Sequence, residues 1–177
     1  MKITLFVIFF FSIATGYSQY SPWRPFPLDS ITVNNAGLIA LVRIDEMNDE
    51  FVACQLKMHF KGGLCAADHG FLLRVKDDRF DFNYGSEYLV FAKKDEDCRY
   101  YIDKKSRIIR ADESDNDIAF LRSILPCNDA TLIAEFKNSA CHRDYRPVCG
   151  CDSVTYGNAC EAIKKGVMIF TFGDCKK

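Results

Sequence analysis

Between Cys141 and Cys160 the chain reads C-H-R-D-Y-R-P-V-C-G-C-D-S-V-T-Y-G-N-A-C. Seven residues separate Cys141 from Cys149; none is glycine, and Pro147 stands near the closing end. Cross-linked at both ends, such a segment stays extended and cannot relax. It displays one long cation, Arg143. A stiff loop of this kind is poorly suited to catalysis. It is well suited to filling a pocket that accepts a basic side chain, because little conformational entropy is left to lose on docking.

The 177 residues carry a formal charge of −1, with 49% hydrophobic and 14% aromatic residues. That length allows one or two domains, and the apolar content supports a packed core. Neither nucleic acid nor an anionic membrane is indicated by the charge. Lys2 followed by the apolar run Ile3–Ala14, with small residues at Ala14, Gly16 and Ser18, reads as a signal peptide over 1–18. An uncleaved anchor is the competing reading of that run. The mature chain is therefore expected to be secreted, or periplasmic in a bacterium, with no membrane association after cleavage. Nine cysteines in an exported chain argue for disulfides over metal ligands, and an odd number leaves at least one without an intramolecular partner.

Residues 19–30 hold three of the five prolines and read as an extended segment, with Trp23 and Phe26 laid on a neighbouring surface. From Ile31 the pattern is β-rich. Strands are expected over Leu38–Ile44, Phe51–Phe60, Phe71–Val75, Tyr88–Phe91, Tyr100–Ile102 and Arg107–Arg110. Short strands with no long helix between them predict a small antiparallel barrel or sandwich. A closing helix follows, with Ser114 and Asp117 as a capping-box start and Ile118, Leu121 and Leu125 facing the barrel. Pro126-Cys127-Asn128-Asp129 breaks it and marks a domain boundary. Cys54, Cys65 and Cys98 are read as one disulfide plus one buried thiol, an intermolecular bridge being the alternative. His59 and His69 fit no zinc spacing and are read as core or surface histidines.

The strings A-G-L-I-A-L-V-R-I, H-F-K-G-G, F-N-Y-G-S-E-Y-L-V-F-A, S-R-I-I-R and D-I-A-F-L-R-S-I resemble the netrin-like domain of tissue inhibitors of metalloproteinases. That resemblance implies an OB-type barrel over 31–125. In those inhibitors an N-terminal cysteine grips the protease zinc. Here no cysteine precedes Cys54, and Lys105 stands before S-R where a cysteine is expected. The zinc-chelating activity is therefore not carried over.

The stretch P-V-C-G-C-D-S-V-T-Y-G-N-A-C with Cys175 resembles a Kazal-type serine protease inhibitor domain, placed here at 127–177. The combined expectation is an α+β chain: an OB-type, netrin-like barrel with a closing helix, then a small disulfide-rich unit. The family pairing implies Cys141–Cys160 and Cys149–Cys175. The usual partner of the first cysteine lies three after Cys160, where Ile163 stands, and Cys151 is extra; Cys127–Cys151 is inferred for the two left over. Sequence alone permits 15 arrangements of six cysteines. The resemblance makes Arg143 the primary specificity residue and Arg143–Asp144 the reactive bond. His142, Tyr145 and Arg146 would contact the protease beside it, with Pro147 and Asn158 as loop support. Asn158 also suits a helix cap with Glu161. Disulfides claim the sulfurs beside His142, so no metal or cofactor is expected.

Two functions follow. One is an inhibitor of trypsin-like serine proteases. The other is an extracellular binding module that inhibits nothing, with the barrel receiving a second protein partner. An enzyme is not indicated: no nucleophile–base motif, motif-set carboxylate pair or nucleotide loop is present.

Overall fold

A computed structural model describes residues 27–63, 70–76, 80–138 and 140–176. The signal segment, Trp23, Phe26, Cys65 and His69 lie outside them. The first element contradicts the β-rich reading from Ile31. Ser30–Asn35 form a short helix, α1, although Ile31, Thr32 and Val33 are β-branched. Asp29 decides it: its carboxylate accepts the Thr32 N–H at 2.7 Å. Lys61 then closes the other end, its Nζ donating to the carbonyls of Val33 and Asn34 at 2.9 and 3.0 Å.

Five strands make the barrel: β1 (Leu38–Met47), β2 (Phe51–Lys61), β3 (Gly70–Val75), β4 (Glu87–Lys94) and β5 (Tyr100–Ile102). They close in the order β1-β2-β3-β5-β4 and back to β1, the ring of an OB-type barrel. One pairing departs from the antiparallel expectation: β3 and β5 run parallel, Leu73 opposite Tyr100. β6 (Arg107–Arg110) adds to β4 outside the ring.

Alternation fills the barrel. Leu38, Ala40, Val42 and Ile44 of β1 point inward with Cys54, Leu56, Leu73, Val90 and Ile102. The opposite face of β1 and β4 is apolar too. Ile39, Leu89 and Phe91 lie in a second core with Leu121 of helix α2 (Asp115–Ile124) and Leu132 of helix α3 (Ala130–Phe136). Val148, Ile163 and Phe170 of the C-terminal region join the same core. That is why β1 and β4 read as near-continuous apolar runs.

The sheet also continues beyond the barrel. β9 (Phe170–Phe172) pairs with β2 through Met58–Thr171 and His59–Phe170. β9 pairs in turn with β7 (Val148–Gly150), which pairs with β8 (Thr155–Tyr156). Among the described residues no helix is long and apolar enough to cross a membrane.

Ser114 stands at the N-cap of helix α2, but the capping box does not form. The Ser114 hydroxyl donates to the Ala111 carbonyl at 2.8 Å. Asp117 turns instead to Arg107, whose Nε and Nη2 donate to Oδ2 at 3.0 and 2.8 Å. Both side chains are largely buried, and a charged pair removed from water requires that partner more than the helix end requires a cap. Cys54 is a buried free thiol, while Cys98 is disulfide-bonded.

His59 sits at the seam, fully buried and stacked on Phe170 with ring centroids 4.8 Å apart. Its Nδ1 lies 2.6 Å from the Met168 carbonyl, so Nδ1 carries the proton of the neutral ring. Burial holds its pKa down at about 4 against an ordinary 6.5, opposed only by the carbonyls of Met168 and Gly62. Above pH 6.5 the ring is neutral folded or unfolded. Between 6.5 and 4 only the unfolded chain takes up the proton, so stability falls as pH falls, by about 1.4 kcal/mol per pH unit. Urea unfolding at pH 7, 6 and 5 should show a steeper loss in the native protein than in His59→Gln. Equal slopes would place the sensitivity elsewhere.

Candidate functional site

Three disulfides frame the C-terminal region: Cys127–Cys151, Cys141–Cys160 and Cys149–Cys175, with Cα separations of 5.7, 5.6 and 4.7 Å. The first ties the segment between α2 and α3 to the β7–β8 turn. The second ties the start of the loop to helix α4 (Ala159–Lys164). The third ties strand β7, which follows the loop, to the chain's last residues. Residues 142–146 between these anchors are exposed and adopt neither helix nor strand.

Asn158 organises this loop from behind. Its Oδ1 accepts the Glu161 N–H at 2.9 Å, capping α4. Its Nδ2 donates to the carbonyls of His142 at 2.9 Å and Asp144 at 3.2 Å. Those carbonyls lie on either side of Arg143, so one amide spans the Arg143–Asp144 bond. The Arg146 N–H donates to Gly157 O at 2.8 Å, and Pro147 O accepts from the Gly173 N–H at 2.8 Å. The loop backbone is held on its inner side, and the side chains stand outward.

Arg143 is exposed, and no described residue pairs with its guanidinium. Asp144 pairs with Arg146, Oδ2 to Nε 3.1 Å. The Tyr145 hydroxyl donates to Asp174 Oδ1 at 3.3 Å, and the Asp174 charge raises its pKa. His142 is exposed beside Cys141.

The hairpin below the loop is locally over-determined. Asp152 accepts the Val154 N–H at 3.1 Å and the Tyr156 hydroxyl at 2.6 Å. Burial and that carboxylate push the Tyr156 pKa up to about 12. A Cβ at Gly150 would come within 2.3 Å of Asp152 Oδ1, so a larger residue there would displace that carboxylate from these hydrogen bonds. Gly166 ends α4 with φ +84°, its Cβ position only 2.9 Å from the Asp129 carbonyl.

Sequence reasoning missed two supports. Helix α3 follows the 126–129 break directly; Asp129 caps it by accepting the Thr131 N–H at 2.8 Å, a signal present in D-A-T but overlooked. The Tyr145–Asp174 contact joins residues 29 apart and has no local signature.

Residues 133–166 match the Kazal-type serine protease inhibitor domain. The chain is also similar to an ovomucoid of Coturnix delegorguei, 59% identical over 27 residues. That match covers 15% of this chain and 52% of the relative, so the chain spans about half the length of the ovomucoid it resembles. The Kazal region thus follows a five-stranded barrel in one α+β chain.

Asn158→Asp separates the two jobs of the amide. The aspartate keeps a cap acceptor, but sets a carboxylate oxygen against two carbonyl oxygens. Stability should fall by about 1–3 kcal/mol, the cost of leaving buried polar groups unpaired, and amide exchange at Arg146 should accelerate. Unchanged exchange in this variant would show that the loop is held without Asn158.

Proposed function

We propose that this protein is a secreted inhibitor of trypsin-like serine proteases, with Arg143–Asp144 as its reactive bond. The observation that carries this reading is the Asn158 amide bridging the carbonyls on either side of an exposed Arg143. A backbone fixed in extended form loses little entropy on entering a protease cleft. Arg143 enters the specificity pocket and meets its carboxylate, a desolvated, hydrogen-bonded pair of the kind that dominates such interfaces. His142, Tyr145 and Arg146 line the neighbouring subsites. If the bond is cut, Cys141–Cys160 and Cys149–Cys175 keep the new ends together, so religation competes with hydrolysis.

We read the two parts as units at 31–125 and 127–177, the first netrin-like. The ring order of the barrel supports that reading. With no cysteine ahead of Cys54, the barrel lacks the residue that would bind a protease zinc, so no metalloproteinase inhibition is assigned to it.

The mature protein should titrate trypsin stoichiometrically. Arg143→Ala should raise the inhibition constant by about three orders of magnitude, on the order of 4 kcal/mol, while Arg143→Lys retains inhibition. Undiminished inhibition by Arg143→Ala, or rapid complete cleavage of the native loop after Arg143, would reject the assignment; the latter would favour a non-inhibitory binding module.

A further inference from the structure

The inhibitory loop leaves one end of the barrel unexplained. β9 meets β2 at Met58 and His59, near the C-terminal end of that strand. The β1–β2 turn lies at the other end, roughly 25 Å away along the strand at about 3.4 Å per residue. There two cavities adjoin, sharing the wall Phe80-Asp81-Phe82.

The smaller cavity, about 180 Å³, is walled by the rings of Phe80, Phe82 and Tyr88 with Ile108, and by Asp81, Asn83 and Arg110 at its polar side. An apolar cavity of about 150 Å³ holds a benzene ring, so this one fits a single aromatic or branched side chain. The larger, about 620 Å³, is lined by Met47, Asp49, Lys76 and Asp81 among others. Met47 is 52% exposed, and Tyr84, in the turn between Phe82 and β4, is 75% exposed.

Carboxylates are exposed at this end beside Arg110 and Lys76, which line the two cavities. Glu46, Asp49, Glu50 and Asp81 are exposed, and among the described residues none has an ion-pair partner. The two cations that line the cavities are each engaged elsewhere, while Arg74, opposite Phe51, is exposed at the same end. Arg110 Nε sits 3.2 Å from Asp112 Oδ1, and Lys76 Nζ lies 3.8 Å from the Tyr101 ring centre. Aromatic walls, an exposed methionine and unpaired carboxylates together suit a ligand that brings both apolar surface and positive charge.

We propose that this end of the barrel docks a segment of a partner protein in which an aromatic or branched aliphatic side chain stands beside arginine or lysine. The apolar side chain seats among Phe80, Phe82, Tyr88 and Ile108. The cation lies in the larger cavity, which Asp49 and Asp81 both line. This rests on the barrel being a recognition unit and not on the inhibitory reading, whose loop lies beyond the seam.

The test is a two-dimensional amide NMR titration of the mature protein with two capped probes, Gly-Arg-Trp-Arg-Gly and Gly-Glu-Trp-Glu-Gly. The arginine peptide should shift amides of residues 46–50 and 80–84 and bind at least tenfold tighter than its acidic counterpart. The double variant Asp49→Lys/Asp81→Lys should weaken it at least tenfold with an unchanged melting temperature. Equal binding of both peptides, shifts confined to other residues, or no binding at millimolar peptide would overturn the proposal. So would a concentration-dependent dimer that Met47→Lys abolishes, which would give this surface to a second copy of the chain.

Discussion

One primary amide sets the geometry on which the rest of the C-terminal region depends. Asn158 uses its oxygen to start helix α4 and its nitrogen to hold two carbonyls of the exposed loop. Neither task is expensive alone. Joined in one buried side chain, they make the loop's shape a consequence of where the helix begins. The helix in turn is placed by Ala162 and Ile163, which are fully buried in the shared core. Rigidity at residues 142–146 is therefore inherited from hydrophobic packing well behind them, with the disulfides limiting what remains.

That packing is not confined to the small region itself. Compact disulfide-rich units usually bury too little apolar surface to stand alone. Here the outer wall of the barrel supplies part of the core: Ile39, Phe60, Leu89 and Phe91 lie against Val148, Ile163 and Phe170. β9 carries the sheet across the seam, and His59 fills it with a neutral ring. The barrel is thus a brace as well as a separate surface. Among the described residues, this contact is made on β1, β4 and the last residues of β2, away from the β1–β2 turn.

The sequence disclosed these features unevenly. Strands were legible wherever inward and outward residues alternated, as in F-V-A-C-Q-L-K-M-H-F, and where apolar residues occupied both faces, as in L-I-A-L-V-R-I. The Asn158 cap was legible because its chemistry is local. What was hidden depends on distant partners. The β-branched residues of α1 point to a strand until Asp29 and Lys61 are seen at its two ends. Asp117 looks like a cap until Arg107 arrives from β6. The parallel run of β3 beside β5 follows from ring closure, which no window of sequence contains. At the loop, Arg143 and its neighbours stood out through a resemblance, whereas the tether from Tyr145 to Asp174 appears only in three dimensions.

The unpaired Cys54 bears on how such a chain reaches its oxidised form. Thiol–disulfide exchange needs a thiolate with access to a sulfur. Inside the closed barrel this thiol is 2% exposed, and burial drives its pKa up to about 12. It is chemically silent there, and an odd complement of sulfur does no harm. Before the barrel closes, the same group is an ordinary nucleophile able to capture any of the other eight cysteines. Faithful maturation therefore favours an order of events, in which the N-terminal strands sequester their spare sulfur before the cross-links downstream are set.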